Sequence, residues 1–507
     1  MTRDTPAPQT RTPGGPSILS PLPCRIASTS SRRGPGPDAA WRTSESRCVR
    51  ARRPIRCGRM HAVTAARRPR RTTRLVGIAV VVCAVLAGCT SGGDSSATGT
   101  PPELPADAAA RFASTRNSDD AIAFARSVRF HRDPRFAAHL VDLIRIGYSS
   151  TAADEAVAGL AELSGIPATG RYIDDYLVYG QWAFEEGPEP PDGYAEFKAG
   201  LYTQVDDEFV PLLLQVTDRR LLGALQWGGV GVGAIRELNE PARIGATEAP
   251  WAEPDEILFG TVGPNGTPLA YPERIIGRHE LANDVLDGVP ITVAYCTLCR
   301  AVRTYDRRVD GRTLTFRTSG LLLYSNKVMV DNETSSLWQQ LTGEAIAGPL
   351  AGKQLRELPV ETTTWADWTA RHPSAVMVDR PPPFIIDPET GVPITYDYRP
   401  GAALASYFAS QELWFPVLAT PDHFPLKEPM ATIALGGRHF AVSVAALERA
   451  GEVTVRVGDR SVRAVAIDRG ARFLDVTTGA ELVSGQAFWF AWYGLHPDTD
   501  WWPRTAK

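Results

Sequence analysis

The sequence predicts an α+β protein, helical in its first half and β-rich in its second. Three observations carry that expectation. From about Ala106 to Gly228 apolar residues recur at spacings of three and four, the period of a helix face. From there to Trp502 they fall into short runs rich in Val, Ile, Thr and aromatic residues, punctuated by turn signals. With 43% hydrophobic and 22% charged residues the chain can bury a core, which excludes collagen-like, wholly disordered and polytopic membrane classes.

The 507 residues divide unevenly. Residues 1–59 are rich in Arg, Pro and Ser without apolar periodicity, and read as a gene-model extension ahead of a start at Met60, or as disordered chain. From Met60 the sequence runs MHAVTAARRPRRTTRLVGIAVVVCAVLAGC: a positive n-region, an apolar stretch and a small-residue site. The stretch from Leu75 to Ala87 has about 13 residues, short of the ~20 a membrane span needs but suited to a signal peptide over 60–88. Its end, Leu86-Ala87-Gly88-Cys89, resembles the lipobox of bacterial lipoproteins. That resemblance implies a lipid on Cys89 and a protein held at the extracytoplasmic face of the cell membrane. An ordinary signal peptide with an incidental cysteine is the alternative. Residues 89–105, rich in Ser, Gly, Thr and Pro, read as a flexible tether.

Charge follows the same division. Residues 1–88 hold 17 Arg, no Lys and three acids, a net of +14, which leaves −17 for the rest of a chain whose total is −3. An acidic exported body argues against nucleic acid as a partner.

The helical part is expected over 106–228, with segments at Asp119–Val128, Pro134–Ile146, Ala153–Leu163, Tyr172–Trp182 and Glu208–Leu225 separated by Gly- and Pro-containing turns. The pattern is compatible with a HEAT-like array, which would offer a surface to a protein partner, and equally with an irregular bundle. The β-rich α+β part is expected over 229–502. It has strands near Glu256–Val262, Ile291–Tyr295, Val302–Arg308, Thr313–Arg317, Lys327–Val330, Ala431–Leu435, His439–Val444, Val453–Val457 and Val462–Asp468. Helices are expected at Pro272–Leu286 and Thr363–Arg371. Ile257–Ile276 and Ala431–Leu447 share a strand–turn–strand–helix plan, and the stretches after them are similar, which suggests an internal duplication. In that alignment Cys296 and Cys299 fall opposite Gly458 and Ser461, so the thiols are additions to the scaffold.

Of seven cysteines, Cys24, Cys48, Cys57 and Cys83 lie in the expected leader and Cys89 at the lipobox. What remains is Cys296-Thr297-Leu298-Cys299, and three readings of it compete. A thioredoxin-like redox pair needs its first thiol at a helix N-terminus, whereas the residues that follow read as a strand. Two thiolates on a tight turn can instead form half of a tetrahedral metal site. A surface disulfide is the third reading. For a metal site the best further ligands are His279 and Glu280, expected on the helix before the cysteine strand, with Glu280 also suited to general-base work. Zinc or cuprous copper matches thiolate and imidazole donors. Among the other histidines, His131 and His139 belong to the helical part, while His372, His423, His439 and His496 have weaker positional claims. Arg303, Asp306, Arg307 and Arg308 read as a solvated hairpin. Ser319-Gly320 and Tyr324-Ser325-Asn326-Lys327 could line a cleft. No phosphate-binding loop or dinucleotide fingerprint is present, so no nucleotide cofactor is expected.

One longer resemblance joins these pieces. LAYPERIIGRHELANDVLDGVPITVAYCTLC (Leu269–Cys299), YDRRVDGRTLTFRTSG (Tyr305–Gly320), SLWQQLTGEAIAGPLAG (Ser336–Gly352), TTWADWTARHP (Thr363–Pro373) and FWFAWYGLHPDT (Phe488–Thr499) occur in that order. Together they resemble the bacterial domain-of-unknown-function family numbered 3179, found largely in exported proteins. Thr297 stands where that family usually has proline in Y-C-P-L-C, and the match is poor between Asp379 and Leu413. The resemblance implies a domain identity and no reaction. Three functions therefore stand as expectations: a lipid-anchored metal-binding protein using Cys296, Cys299 and His279; a cell-surface thiol-disulfide oxidoreductase; and a binding or scaffold protein using the helical array.

Overall fold

The computed structural model describes residues 101–379, 404–419 and 421–504. The expected extension, signal peptide and lipid-bearing Cys89, and most of the tether, lie outside the described residues. Residues 105–224 are helical, and strands dominate from Leu225 onward.

Local chemistry sets the helix ends. Asn117, Ser149 and Asp218 accept backbone N–H groups at the starts of Ser118–His131, Ser150–Ser164 and Arg219–Ala224. Gly147 and Gly165 adopt left-handed conformations that end Ala137–Ile146 and Ser150–Ser164. The stretch expected as one helix over Glu208–Leu225 is two short ones, Phe209–Leu214 and Arg219–Ala224, because Asp218 caps a new helix start. The first helix, Pro105–Thr115, packs on both Ser118–His131 and Tyr194–Tyr202, which closes the group into a bundle.

At Leu225–Trp227 the chain leaves the bundle as an edge strand paired with Phe316–Leu323. It begins a five-stranded antiparallel sheet that continues through Asn326–Asp331, Leu337–Gln339 and Ala345–Ala347. One core joins the two parts: Phe112, Phe124, Leu140, Phe197 and Leu213 from the helices share it with Leu321, Val328, Val330 and Leu337 from the sheet. A nine-stranded sheet lies at the centre of the β-rich part and contains Leu281–Leu286, Val289–Cys296, Ala301–Asp306, Gly485–Phe488, Pro429–Leu435 and Arg438–Ser443. Ile257–Val262 and Pro268–Pro272 belong to a second five-stranded sheet, and Glu452–Asp475 forms a separate three-stranded one. Both stretches read as duplicated do place a hairpin before a helix, Glu273–His279 or Val444–Ala450. Their sheets differ, since one hairpin sits in the second five-stranded sheet and the other in the nine-stranded sheet.

Two expectations are corrected. The helix expected over Pro272–Leu286 stops at His279; Glu280 is left-handed, with φ 60°, and Leu281–Leu286 is a strand paired with Val289–Ala294. Asp287 and Gly288, with φ 51° and 80°, supply the two-residue turn. Asp-Gly between apolar runs is a strong hairpin signal, and it outweighs the helical spacing of the short stretch before it. Arg303, Asp306 and Arg307 are also not solvated, being 2%, 3% and 5% exposed. Arg307 donates to the carbonyls of Ile291, Leu314 and Asp284, and Arg303 to the Val302 carbonyl and the Thr432 hydroxyl. Their charge is buried because backbone carbonyls and carboxylates satisfy it.

Candidate functional site

Cys296 ends the strand Val289–Cys296 and pairs with Ala301 across the turn Thr297–Arg300. Arg300 closes that turn in a left-handed conformation, φ 44°. The thiols therefore sit on a tight turn between two central strands, not at a helix N-terminus. Both are free and buried, with the two sulfurs 2.8 Å apart.

A network from the neighbouring sheet surrounds Cys299. Its thiol donates to the Ser325 carbonyl at 3.1 Å, and the Asn326 side-chain amide donates to its sulfur at 3.3 Å. Gln339 donates to the Asn326 carbonyl oxygen at 2.7 Å, and Gln340 accepts from the Asn326 amide at 3.1 Å. Gln340 in turn donates to the carbonyls of Ala294 and Ala301, which flank the cysteine turn. This fixes the Asn326 amide so that its N–H groups face sulfur and Gln340. Ser325 and Tyr324 form the two-residue turn between Phe316–Leu323 and Asn326–Asp331, with φ 65° and 51°. Non-glycine residues adopt such angles at a cost, and here the strained tip carries the carbonyl that meets Cys299. Burial and the neighbouring Cys296 sulfur push the Cys299 thiol well above the ordinary thiol range, with Asn326 pulling the other way. Cys299 is thus held as a neutral thiol.

Cys296 differs in what it faces. It lines a cavity of about 820 Å³ between the helical bundle and the sheets. Arg145 and Ile173 come from helices; Arg278, Glu280, Thr297, Leu298, Gly320 and Lys327 come from the β-rich part. Gly320, at φ 76°, cannot be replaced without conflict, because a Cβ there would lie 2.5 Å from the Val230 carbonyl oxygen. Of the residues expected to line a cleft, Gly320 and Lys327 line this cavity and Ser319, Tyr324, Ser325 and Asn326 do not.

Glu280 lies beside the pair but is engaged. Its carboxylate accepts from the Thr297 hydroxyl at 2.7 Å and pairs with Lys327, which also donates to Thr318. The Thr297 hydroxyl thereby ties the cysteine turn to Glu280. His279 is buried, its Nδ1 donates to the Arg236 carbonyl at 2.7 Å, and burial lowers its pKa. Among the described residues no three His, Cys, Asp or Glu side chains are grouped to hold a metal ion. Of the ligand set suggested for zinc or copper, the two sulfurs lie together, while Glu280 is held by Thr297 and Lys327 and His279 by the Arg236 carbonyl. The thiols fit a soft cation, and the groups bonded to Cys299 from the neighbouring sheet are one amide and one backbone carbonyl.

Sequence reasoning found the thiols and Glu280 but not Ser325 and Asn326 as thiol partners, nor Gln339, Gln340 or Tyr407. Tyr407, on the helix Ala405–Ala409, is 2% exposed, and its hydroxyl has no hydrogen-bond partner among the described residues. Burial and the two nearby cysteines raise its pKa. Elsewhere, His439 and His496 stack at 3.9 Å with Asp498 on His439 Nδ1.

Among the described residues no helix is long and apolar enough to cross a membrane. The model of a protein family of unknown function, DUF3179, matches residues 233–499, a span that includes the cysteine turn and the Asn326–Gln340 network. No curated protein and no solved structure matches the chain.

Proposed function

We propose, for a chain that belongs to the DUF3179 family of proteins of unknown function, that Cys296 and Cys299 are a redox-active dithiol of an extracytoplasmic thiol-disulfide oxidoreductase. One observation carries the reading: two free sulfurs lie 2.8 Å apart, with one facing a cavity and the other enclosed by a polar network. Small rotations bring them to the ~2.05 Å of a disulfide without moving the strands. Structural burial alone would not require a cavity at one thiol and a fixed amide donor at the other.

The exchange runs as follows. Cys296, as thiolate, attacks one sulfur of a disulfide in the cavity, and the other sulfur leaves as a thiolate that takes up a proton. Cys299 then loses its proton and attacks Cys296 Sγ, releasing the second substrate thiol and closing the protein disulfide. Two electrons and two protons pass from the dithiol to the substrate disulfide. An external dithiol restores the reduced pair by the reverse exchange. A lipid on Cys89, outside the described residues, would hold this chemistry at the outer face of the membrane.

The test is a redox titration of the mature protein in glutathione buffers, read by alkylation and mass spectrometry. Reversible two-electron conversion with a potential above about −300 mV is expected, since structural bridges lie below that value. A pair that resists oxidation, or a bridge that stays closed below about −300 mV, would overturn the reading.

A further inference from the structure

The cavity beside Cys296 has a second built feature, at its helical wall. Arg145, in the last turn of Ala137–Ile146, is held among three aromatic rings, its guanidinium carbon 5.4, 5.1 and 4.8 Å from the centroids of Tyr176, Trp227 and Phe415. Its Nε donates to the Trp227 carbonyl at 2.8 Å. Among the described residues no carboxylate pairs with it, and its two Nη groups have no protein acceptor. Stacking fixes the plane of the fork, and a fixed fork with free N–H groups suits a carboxylate. Among the described residues the one acid lining the cavity, Glu280, is already paired with Lys327. The cavity that Arg145 and Cys296 both line has Leu298, Leu321, Leu322, Trp414 and Ile173 among its apolar lining residues.

Access is restricted as well. Cys296 is 2% exposed, so an exchange partner must enter the cavity to reach its sulfur. A volume of about 820 Å³ admits a small molecule and not the surface of a folded protein.

We infer that the cavity binds a small apolar carboxylic acid, its carboxylate on Arg145 and its apolar body along Leu298, Leu321 and Trp414, and that the disulfide exchanged at Cys296 is carried on such an acid. The second clause rests on the dithiol reading; the first does not.

Titration calorimetry with octanoate and with octanamide, equal in shape and different in charge, tests the binding. Octanoate should bind the mature protein at least tenfold more tightly than octanamide. Arg145→Met should erase that preference while leaving octanamide binding in place, and Arg145→Lys should restore part of it. The double variant Cys296→Ser/Cys299→Ser should keep the preference, so a redox-inactive pair with intact octanoate binding would defeat the dithiol reading alone. Equal binding of acid and amide to the unaltered protein, or no octanoate binding at all, would overturn the inference whatever the thiols do.

Discussion

The Asn326 side-chain amide donates to the Cys299 sulfur at 3.3 Å, and its own carbonyl is held by Gln339. A donor fixed in this way bonds the Cys299 sulfur in the reduced pair and so favours that state. Replacing Asn326 with Ala should shift the potential of the pair to a more negative value, by on the order of 30 mV if the bond is worth about 1.4 kcal/mol. It also strands the amides of Gln339 and Gln340 in a buried setting, so stability should fall by about 1–3 kcal/mol. Glutathione titration and denaturant melts read the two effects separately, and a potential that moves the other way would remove Asn326 from the redox argument.

The two thiols should not be equivalent. Cys296 faces the cavity, whereas Cys299 is fully buried, proton-bearing and raised in pKa. With a small aromatic disulfide, Cys299→Ser should accumulate a stable mixed disulfide on Cys296, and Cys296→Ser should react at least tenfold more slowly. Mass spectrometry of the adducts decides it; equal labelling of both variants would contradict the assigned order.

Much of this arrangement was readable in advance because it is local. Caps, turns and alternating strands were legible from neighbouring residues, and so was the placement of the thiols on a turn before a strand. The helix drawn through Leu286 failed because its spacing was weighed without Asp287-Gly288, a turn that pairs Leu281–Leu286 with the next strand. Once that segment is a strand, His279 ends a short helix, Glu280 stands at its left-handed end, and Asn283 is spent on the backbone of Phe316. The partners of Cys299 were invisible for a different reason. Asn326 reaches it with Gln340 behind, held by pairing of Asn326–Asp331 with Leu337–Gln339, and Tyr407 lies more than a hundred residues from the pair. Nothing in the composition of those segments marks them as thiol neighbours.

Acid should destabilise the protein through His139. Its ring packs among Phe124, Phe136, Tyr194 and Phe197, Nδ1 lacks a partner among the described residues, and burial with Lys198 nearby depresses its pKa to about 3. The unfolded chain protonates this histidine near pH 6.5 and the folded chain does not until about pH 3. Across that window the unfolded state binds the extra proton, so stability falls by up to about 1.4 kcal/mol per pH unit as pH drops. His139→Phe keeps the ring and removes the proton site. Thermal melts from pH 7 to 4.5 should therefore show a shallower acid slope for the variant, and parallel slopes would assign the acid sensitivity elsewhere.

Tyr407 gives the last test, because its hydroxyl is spent on nothing else among the described residues. The ring rests under Lys427, whose ammonium lies 3.2 Å from the ring centroid, and packs on Trp414 at 4.6 Å. The side chain is thus fixed by its ring, while the hydroxyl is buried without a partner among the described residues, and burial with the two nearby cysteines raises its pKa. A protonated phenol there can donate to a sulfur that becomes negative during exchange, and it costs no existing bond to do so. Tyr407→Phe should accordingly leave the melting temperature within about 2 °C of the parent, since no hydrogen bond is lost. The rate of disulfide exchange at Cys296 should fall by tenfold or more, with octanoate binding unchanged. A stability loss with an unchanged rate would mean that Tyr407 serves packing alone. An unchanged rate and an unchanged melt would mean that the unpartnered hydroxyl has no part in the chemistry of the pair.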